Sequence, residues 1–388
     1  MGQTDDFKER KKRVEKLKAQ INKSYGSEVL LSGTEALKKG VLSKNVIPSP
    51  SLELNNALYC GGFSGIVELF GSPASGKTSL AIETLALAQK NDPEMMALWL
   101  ETEHSIYSDI LLQHGVDLNR LLFINQEDVD NAENALDIVY SAVASNTVQL
   151  VIINSVAGLA PKKETEEEIS KQNVALVARI MSKFFRKITG AAGKNKVTMI
   201  FINQVRDNVG VMFGDPSTTT GGKALGFYAS QRIKMNANKV QASDPITADE
   251  GIKVSCIVHK NRMAGMHNPY TKCVYYARFK EGIDSIVSIP QLLLDRGVFI
   301  RKGAWWYYLD ENGNPRTIDG VECKFSSQNN LIDTLRNNVD FRNSMLALID
   351  NENVDTVSDN EREEIEKADK ENEEFFKAVE ASDNVSEE

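Results

Sequence analysis

The chain has 388 residues, 41% apolar and 26% charged, enough for a sizeable core and consistent with two or three domains. It contains no run near the roughly 18 apolar residues of a membrane span, and its first residues lack the apolar segment of a secretory signal; a cytoplasmic protein without membrane contact is expected. The net charge of −9 is unevenly placed: residues 351–388 hold 15 acidic and 4 basic residues, leaving a nearly neutral body.

Taken in order, residues 8–25 predict a helix, because Val14, Leu17, Ile21 and Tyr25 recur at spacings of three and four. Lysines and arginines fill its other faces, so the apolar stripe must pack on this chain or on another copy. Residues 26–60 read as irregular, with Pro48 and Pro50 as breakers. A regular alternation follows: strand 66–70, helix 78–90, strand 97–100, helix 132–145, strand 150–153, helix 175–188 and strand 197–202. Strands alternating with helices imply an α/β fold with a mainly parallel sheet covered by helices on both faces. Segments 232–235, 253–258 and 273–279 are more β-like. Residues 283–350 mix helix and turn, and 303–314 resemble a hairpin turning at Asp310–Asn314. The expected division is an N-terminal helix and linker (1–45), a core (46–282), a small α+β C-terminal domain (283–350) and an acidic tail (351–388). The tail has too few apolar residues to fold; it is a solubiliser or a competitor for a basic groove. Cys60, Cys256, Cys273 and Cys323 form no C-x-x-C pair, so reduced thiols are expected.

The segment Gly71-Ser72-Pro73-Ala74-Ser75-Gly76-Lys77-Thr78, followed by Ser79, matches the phosphate-binding pattern G-x-x-x-x-G-K-[ST] in full, between a strand and a helix. The glycines let successive N–H groups face one phosphate, and the helix N-terminus adds positive potential. Lys77 can reach the β- and γ-phosphates of ATP, and the Thr78 hydroxyl can ligate Mg²⁺. Hydrolysis also needs a group to orient water. Glu103, just past a strand end, is the candidate base; the alternative is a solvated charge. The next strand ends in Asn154, where such ATPases usually carry Asp to hold the metal shell, and Glu101 is near enough in sequence to compensate. Gln204, at the end of the fourth strand, can report the γ-phosphate.

The runs Phe201-Ile-Asn-Gln-Val-Arg206, Val209-Gly-Val-Met-Phe-Gly-Asp-Pro216, Thr218-Thr-Thr-Gly-Gly-Lys-Ala-Leu225 and Phe227-Tyr-Ala-Ser230 closely resemble the bacterial RecA recombinases. Glu103-His104 and Arg179-Ile-Met-Ser182 also fit, and the likeness runs from about residue 52 to 299. The resemblance implies an ATP- and Mg²⁺-dependent homo-oligomer, a helical filament on single-stranded DNA that exchanges strands with homologous double-stranded DNA. It gives Lys77 and Thr78 the phosphate and metal roles, Glu103 the catalytic role and Gln204 the sensor role. Segments 164–174 and 205–220 resemble its two DNA-binding loops. Val209, Met212 and Phe213 would lie against bases; Arg179, Arg206 and the N–H groups of Gly221 and Gly222 would hold phosphates. Lys260 and Arg262 match a pair of cations that reach a neighbouring subunit's ATP, and Phe227 matches an interface position.

The chain departs from the family at Asn154, at Ile110, which falls where the family stacks a tyrosine on adenine (Tyr107 lies one turn earlier), and in the acidic segment Glu164–Glu168. The C-terminal region gives no residue-by-residue match to duplex capture. Two other readings follow: an ATP-gated DNA-coating filament with little or no hydrolysis, and a hexameric helicase or clock-type ATPase on the same core.

Overall fold

The computed structural model describes residues 2–41, 43, 45–166, 176–207, 217–242 and 244–350. Most of the segment 164–174, together with Val209, Met212, Phe213 and the tail 351–388, lies outside these residues. Along one mixed sheet run β1 (Ile66–Gly71), β2 (Ala97–Glu101), β3 (Leu121–Asn125), β4 (Leu150–Asn154), β5 (Thr198–Asp207), β6 (Ser217–Thr219), β7 (Gln231–Asn238), β8 (Gly251–Asn261), β9 (Lys272–Arg278) and β10 (Gly282–Ile283). Their spatial order is β3-β2-β4-β5-β1-β7-β8-β9-β10, with β6 paired to β5. From β3 to β7 every pairing is parallel, and from β7 to β10 every pairing is antiparallel. Every residue of β1, β2 and β4 is buried, which is why these strands read as largely apolar runs, interrupted inside β1 by Glu68.

The helices are α1 (Gly2–Tyr25), α2 (Gly33–Lys38), α3 (Leu52–Ala57), α4 (Lys77–Asn91), α5 (Ser108–Gln113), α6 (Ala132–Ala144), α7 (Lys162–Glu166), α8 (Leu176–Lys194), α9 (Lys223–Tyr228), α10 (Ile289–Asp295), α11 (Gln328–Asn337) and α12 (Val339–Asp350). Strand alternation sends Val67, Leu69, Leu150 and Ile152 to one face, where α4 packs through Leu80, Ala81 and Leu85. Ile66, Val151 and Ile153 go to the other face, covered by α6, α8 and α9. A third apolar cluster, including Leu292, Phe299, Trp306, Phe325, Leu335 and Phe341, lies wholly within 286–349 apart from Leu52. Asp284 links this region to the sheet, accepting from Arg278 Nε at 2.7 Å and from Arg336.

Two expectations change, and one strand is added to those expected. Residues 26–60 are not irregular throughout: Ser32 and Glu35 cap each other at α2, and Ser51 caps α3 by accepting from Leu54 N. The short apolar run Leu121–Asn125 is a strand on the sheet edge. The turn at Asp310–Asn314 forms, closed by a bridge from Leu309 to Pro315, but strand pairing of Trp305–Tyr307 is with 300–302 and 324–325 instead. Along α1, Val14, Leu17 and Tyr25 are more than half exposed and Ile21 is half-buried, so the described residues leave most of the stripe uncovered. Among the described residues no helix is long and apolar enough to cross a membrane.

Helix α3 bridges two clusters, with Leu54 in the first and Leu52 against the third. Between them Glu53 is pushed up to about 7, by burial first and then by the charge of Asp295. A carboxyl whose folded pKa is raised holds its proton more tightly when folded, so it costs stability as pH climbs past the ordinary carboxylate range, and the cost stops growing above the folded pKa. Urea unfolding should therefore show stability falling between about pH 5 and pH 7, and Glu53→Gln should flatten that slope.

Candidate nucleotide site

Strand β1 lies between β5 and β7, with Gly71 level with Gln204 on one side and Met235 on the other. A Cβ at Gly71 would stand 2.0 Å from the carbonyl oxygen of Met235, so the strand can end this way only with glycine. The chain then turns through Ser72–Gly76 into α4, whose first residue is Lys77. Lys77 is 7% exposed. Its Nζ donates to the carbonyls of Gly71 (3.2 Å) and Ser72 (2.7 Å) and to Ser75 Oγ (3.1 Å). Burial lowers its pKa, and the charge of Glu103 opposes that. The first residue of α4 thus folds a partly desolvated cation back onto the loop beside the helix N-terminus, where a phosphate chain is best held.

The ends of β2, β4 and β5 complete the site. Glu101 and Asn154 are register partners on β2 and β4. Asn154 Nδ2 donates to Glu101 Oε2 at 3.0 Å and to Ser105 Oγ at 3.2 Å, while Thr78 Oγ1 reaches Asn154 Oδ1 at 3.5 Å. Glu103 Oε1 accepts from Gln204 Nε2 at 2.9 Å and from Ser155 Oγ. The candidate base and the candidate sensor are therefore already in contact across the strand ends. Thr78 Oγ1 and Asn154 Oδ1 form a pair of hard oxygen donors, which fits Mg²⁺.

The remaining predicted residues are scattered around this core. Tyr107 is 64% exposed at the start of α5, whereas Ile110 packs into the first apolar cluster and offers no ring for a base. Arg179 is exposed on the first turn of α8. Gly222 is exposed beside that turn, where an added Cβ would come within 2.7 Å of Ala178 Cβ, and Gly221 is buried against Val156. Close packing therefore explains Gly221 without a phosphate. Arg206 lies on β5 opposite Thr218. Lys260 Nζ donates to the carbonyls of Gly226 (2.7 Å) and Phe227 (2.9 Å), and Arg262 Nη2 to that of Phe227 at 3.1 Å. Burial first, then the charges of Arg262 and Arg232, lowers the Lys260 pKa, and Glu68 opposes them.

Sequence reasoning missed Ser155 and Ser105, and it missed the fully buried Glu68. Glu68 accepts from Asn203 Nδ2 at 3.0 Å and from Arg232 Nε at 2.5 Å, and Asn203 Nδ2 also reaches the Thr220 carbonyl at 2.9 Å. A charged residue inside an apolar strand was the available signal for Glu68; nothing marked the two serines.

A model of the RecA N-terminal domain matches residues 12–284. Protein RecA of Mesoplasma florum is 37% identical over 293 residues, 75% of this chain and 84% of the relative. Protein RecA of Bacteroides thetaiotaomicron is 38% identical over 308 residues, 76% and 88% of the two chains. Protein RecA of Mycoplasma mycoides subsp. mycoides SC is 34% identical over 341 residues, 87% and 93%. With a family match across most of the sheet and relatives this similar over most of their own length, the chain belongs to the RecA family of DNA-dependent ATPases that act in homologous recombination.

Proposed function

We propose that this chain forms a helical filament on single-stranded DNA and exchanges strands with a homologous duplex, with ATP held between neighbouring copies. The contact of Gln204 with Glu103 carries this reading: one amide within β5, which runs three residues past the expected strand end to Asp207, joins the residue placed to activate water to the strand that leads into segment 208–216. The phosphates rest on the amides of Gly71–Thr78, with Lys77 drawn off its carbonyl partners onto the β- and γ-oxygens. Glu103, steadied by Ser155, orients the attacking water. When Gln204 turns to the γ-phosphate it releases Glu103 and shifts β5, so one event readies the base and moves the DNA segment. Mg²⁺, when bound at Thr78 with Asn154 behind it, neutralises charge on the phosphates. Tyr107, exposed at the mouth of the site, is the ring available to adenine.

Topology supports action of the two cations on another copy. Helix α4 packs on one face of the sheet; Lys260 and Arg262 rest on carbonyls of α9, which packs on the opposite face. Lys260 pairs with Arg232, itself level with Glu68, three residues behind Gly71 on the neighbouring strand. Phe227, 67% exposed, stands beside them, and the uncovered stripe of α1 supplies a second surface for a neighbour. Arg179, Arg206 and Gly222, with the backbone of Gly221, are assigned to DNA phosphates, and Val209, Met212 and Phe213 to bases. The separate apolar cluster supports reading 283–350 as a small domain of its own.

Lys77→Ala should weaken ATP-dependent binding of single-stranded DNA by about 100-fold or more, read by fluorescence anisotropy; unchanged ATP-gated binding removes the phosphate assignment. Glu103→Gln should slow ATP turnover by about 100-fold or more while filaments still form on DNA under the electron microscope; normal turnover moves the base elsewhere. Lys77→Ala and Lys260→Ala chains should each be inactive alone. Mixed in equal amounts they should regain turnover at roughly one interface in four, the share that pairs an intact loop with intact cations. If the cations served their own chain, mixing would restore nothing.

A further inference from the structure

The metal side of a phosphate loop ordinarily carries a carboxylate, and here the end of β4 carries an amide. The surroundings of that amide fix its orientation. Its nitrogen faces two acceptors, Glu101 Oε2 at 3.0 Å and Ser105 Oγ at 3.2 Å, so its oxygen is the atom turned to Thr78. Glu101 is 1% exposed. Among the described residues the donors that reach it are all neutral: Trp99 Nε1 (2.8 Å), the backbone N–H groups of Glu103 (3.1 Å) and Ser105 (3.2 Å), Ser105 Oγ (3.3 Å) and Asn154 Nδ2. A carboxylate this buried is costly unless charge or several hydrogen bonds compensate it. Here the hydrogen bonds hold it in place, and the direction left for opposing charge runs through Asn154 to the Thr78 hydroxyl.

We propose that Glu101 is the anionic residue of the divalent-cation site, acting through Asn154 as a positioning residue: the negative charge sits one strand over, on β2, and the Asn154 amide presents it to the cation on its oxygen. A hydrogen bond from Nδ2 to a carboxylate polarises the amide and makes Oδ1 a stronger acceptor. The register pairing of Glu101 with Asn154 keeps the two groups side by side. Asp at 154 would not simply repair the site, because it would set two buried carboxylates 3.0 Å apart. This inference rests on the nucleotide-site reading above.

The test is Mn²⁺ binding followed by electron paramagnetic resonance, on the full chain with ATPγS, beside melting temperatures in EDTA without nucleotide. Glu101→Gln should weaken Mn²⁺ binding about tenfold or more. Asn154→Asp should lower the EDTA melting temperature by several degrees and leave Mn²⁺ binding no tighter. The two substitutions together should recover Mn²⁺ affinity relative to Glu101→Gln, because the charge returns at 154 with an amide beside it; a role confined to bracing residues 101–105 would not be rescued this way. Wild-type Mn²⁺ affinity in a folded Glu101→Gln chain overturns the inference. So does an Asn154→Asp chain that binds Mn²⁺ tenfold tighter with an unchanged melting temperature, and this arm decides if Glu101→Gln does not fold. Absence of any nucleotide-dependent Mn²⁺ signal in the unaltered chain overturns the nucleotide-site reading itself, and a normal signal untouched by either substitution overturns only the role of Glu101.

Discussion

Backbone meets backbone where β1 ends: no side chain fits between Gly71 and the Met235 carbonyl. That close approach lets β7 run parallel to β1 up to the point where the phosphate loop begins, and the loop inherits its position from it. Because β5 pairs with the other side of β1, Gln204 is level with Gly71. Because β4 and β2 follow in the sheet, Asn154 and Glu101 come level one strand further on. The site is therefore a row of strand ends, the place where open α/β sheets bind ligands.

Two buried carboxylates organise what surrounds that row. Glu101 gathers the backbone of residues 103 and 105 and fixes the Asn154 amide. Glu68, one strand on the other side of β5, joins Asn203, the neighbour of Gln204, to Arg232, the register partner of Lys260. Asn203 in turn holds the carbonyl of Thr220, at the far side of segment 208–216. The residues proposed as nucleotide sensor and inter-subunit cations, and one end of the segment proposed to bind DNA, are thus tied to one charge inside the sheet. Such a charge has few alternative arrangements, since leaving it unpaired costs several kcal/mol, and this makes it a suitable pivot for a protein that must couple ATP to DNA.

Much of this was legible in the sequence, for reasons that differ by element. The phosphate loop was readable because curling a backbone around a phosphate demands glycine, lysine and a hydroxyl at fixed spacing. The central strands were readable because burial on both faces makes them continuously apolar. Strand Leu121–Asn125 was not, because an edge strand of five residues with two exposed apolar side chains looks like a loop. Helix Leu52–Ala57 hid behind Pro48 and Pro50, its signal reduced to a Ser51 cap and one buried leucine. Within the site, Lys77 and Thr78 were proposed from the loop pattern, and Glu103 and Gln204 from their places just past strands. The partnership of Glu101 with Asn154 was only glimpsed, because it depends on the register of β2 against β4, which one-dimensional spacing does not contain. The same limit hid Ser155, whose hydroxyl matters only because β4 ends beside β2.

The most direct test is ATP hydrolysis by the unaltered chain, measured with and without single-stranded DNA at fixed Mg²⁺. The proposed rearrangement of the Glu103–Gln204 contact by DNA and nucleotide together predicts strong stimulation of turnover by DNA. Turnover that is absent, or identical with and without DNA, would contradict the coupling of Gln204 and Glu103 on which the account depends.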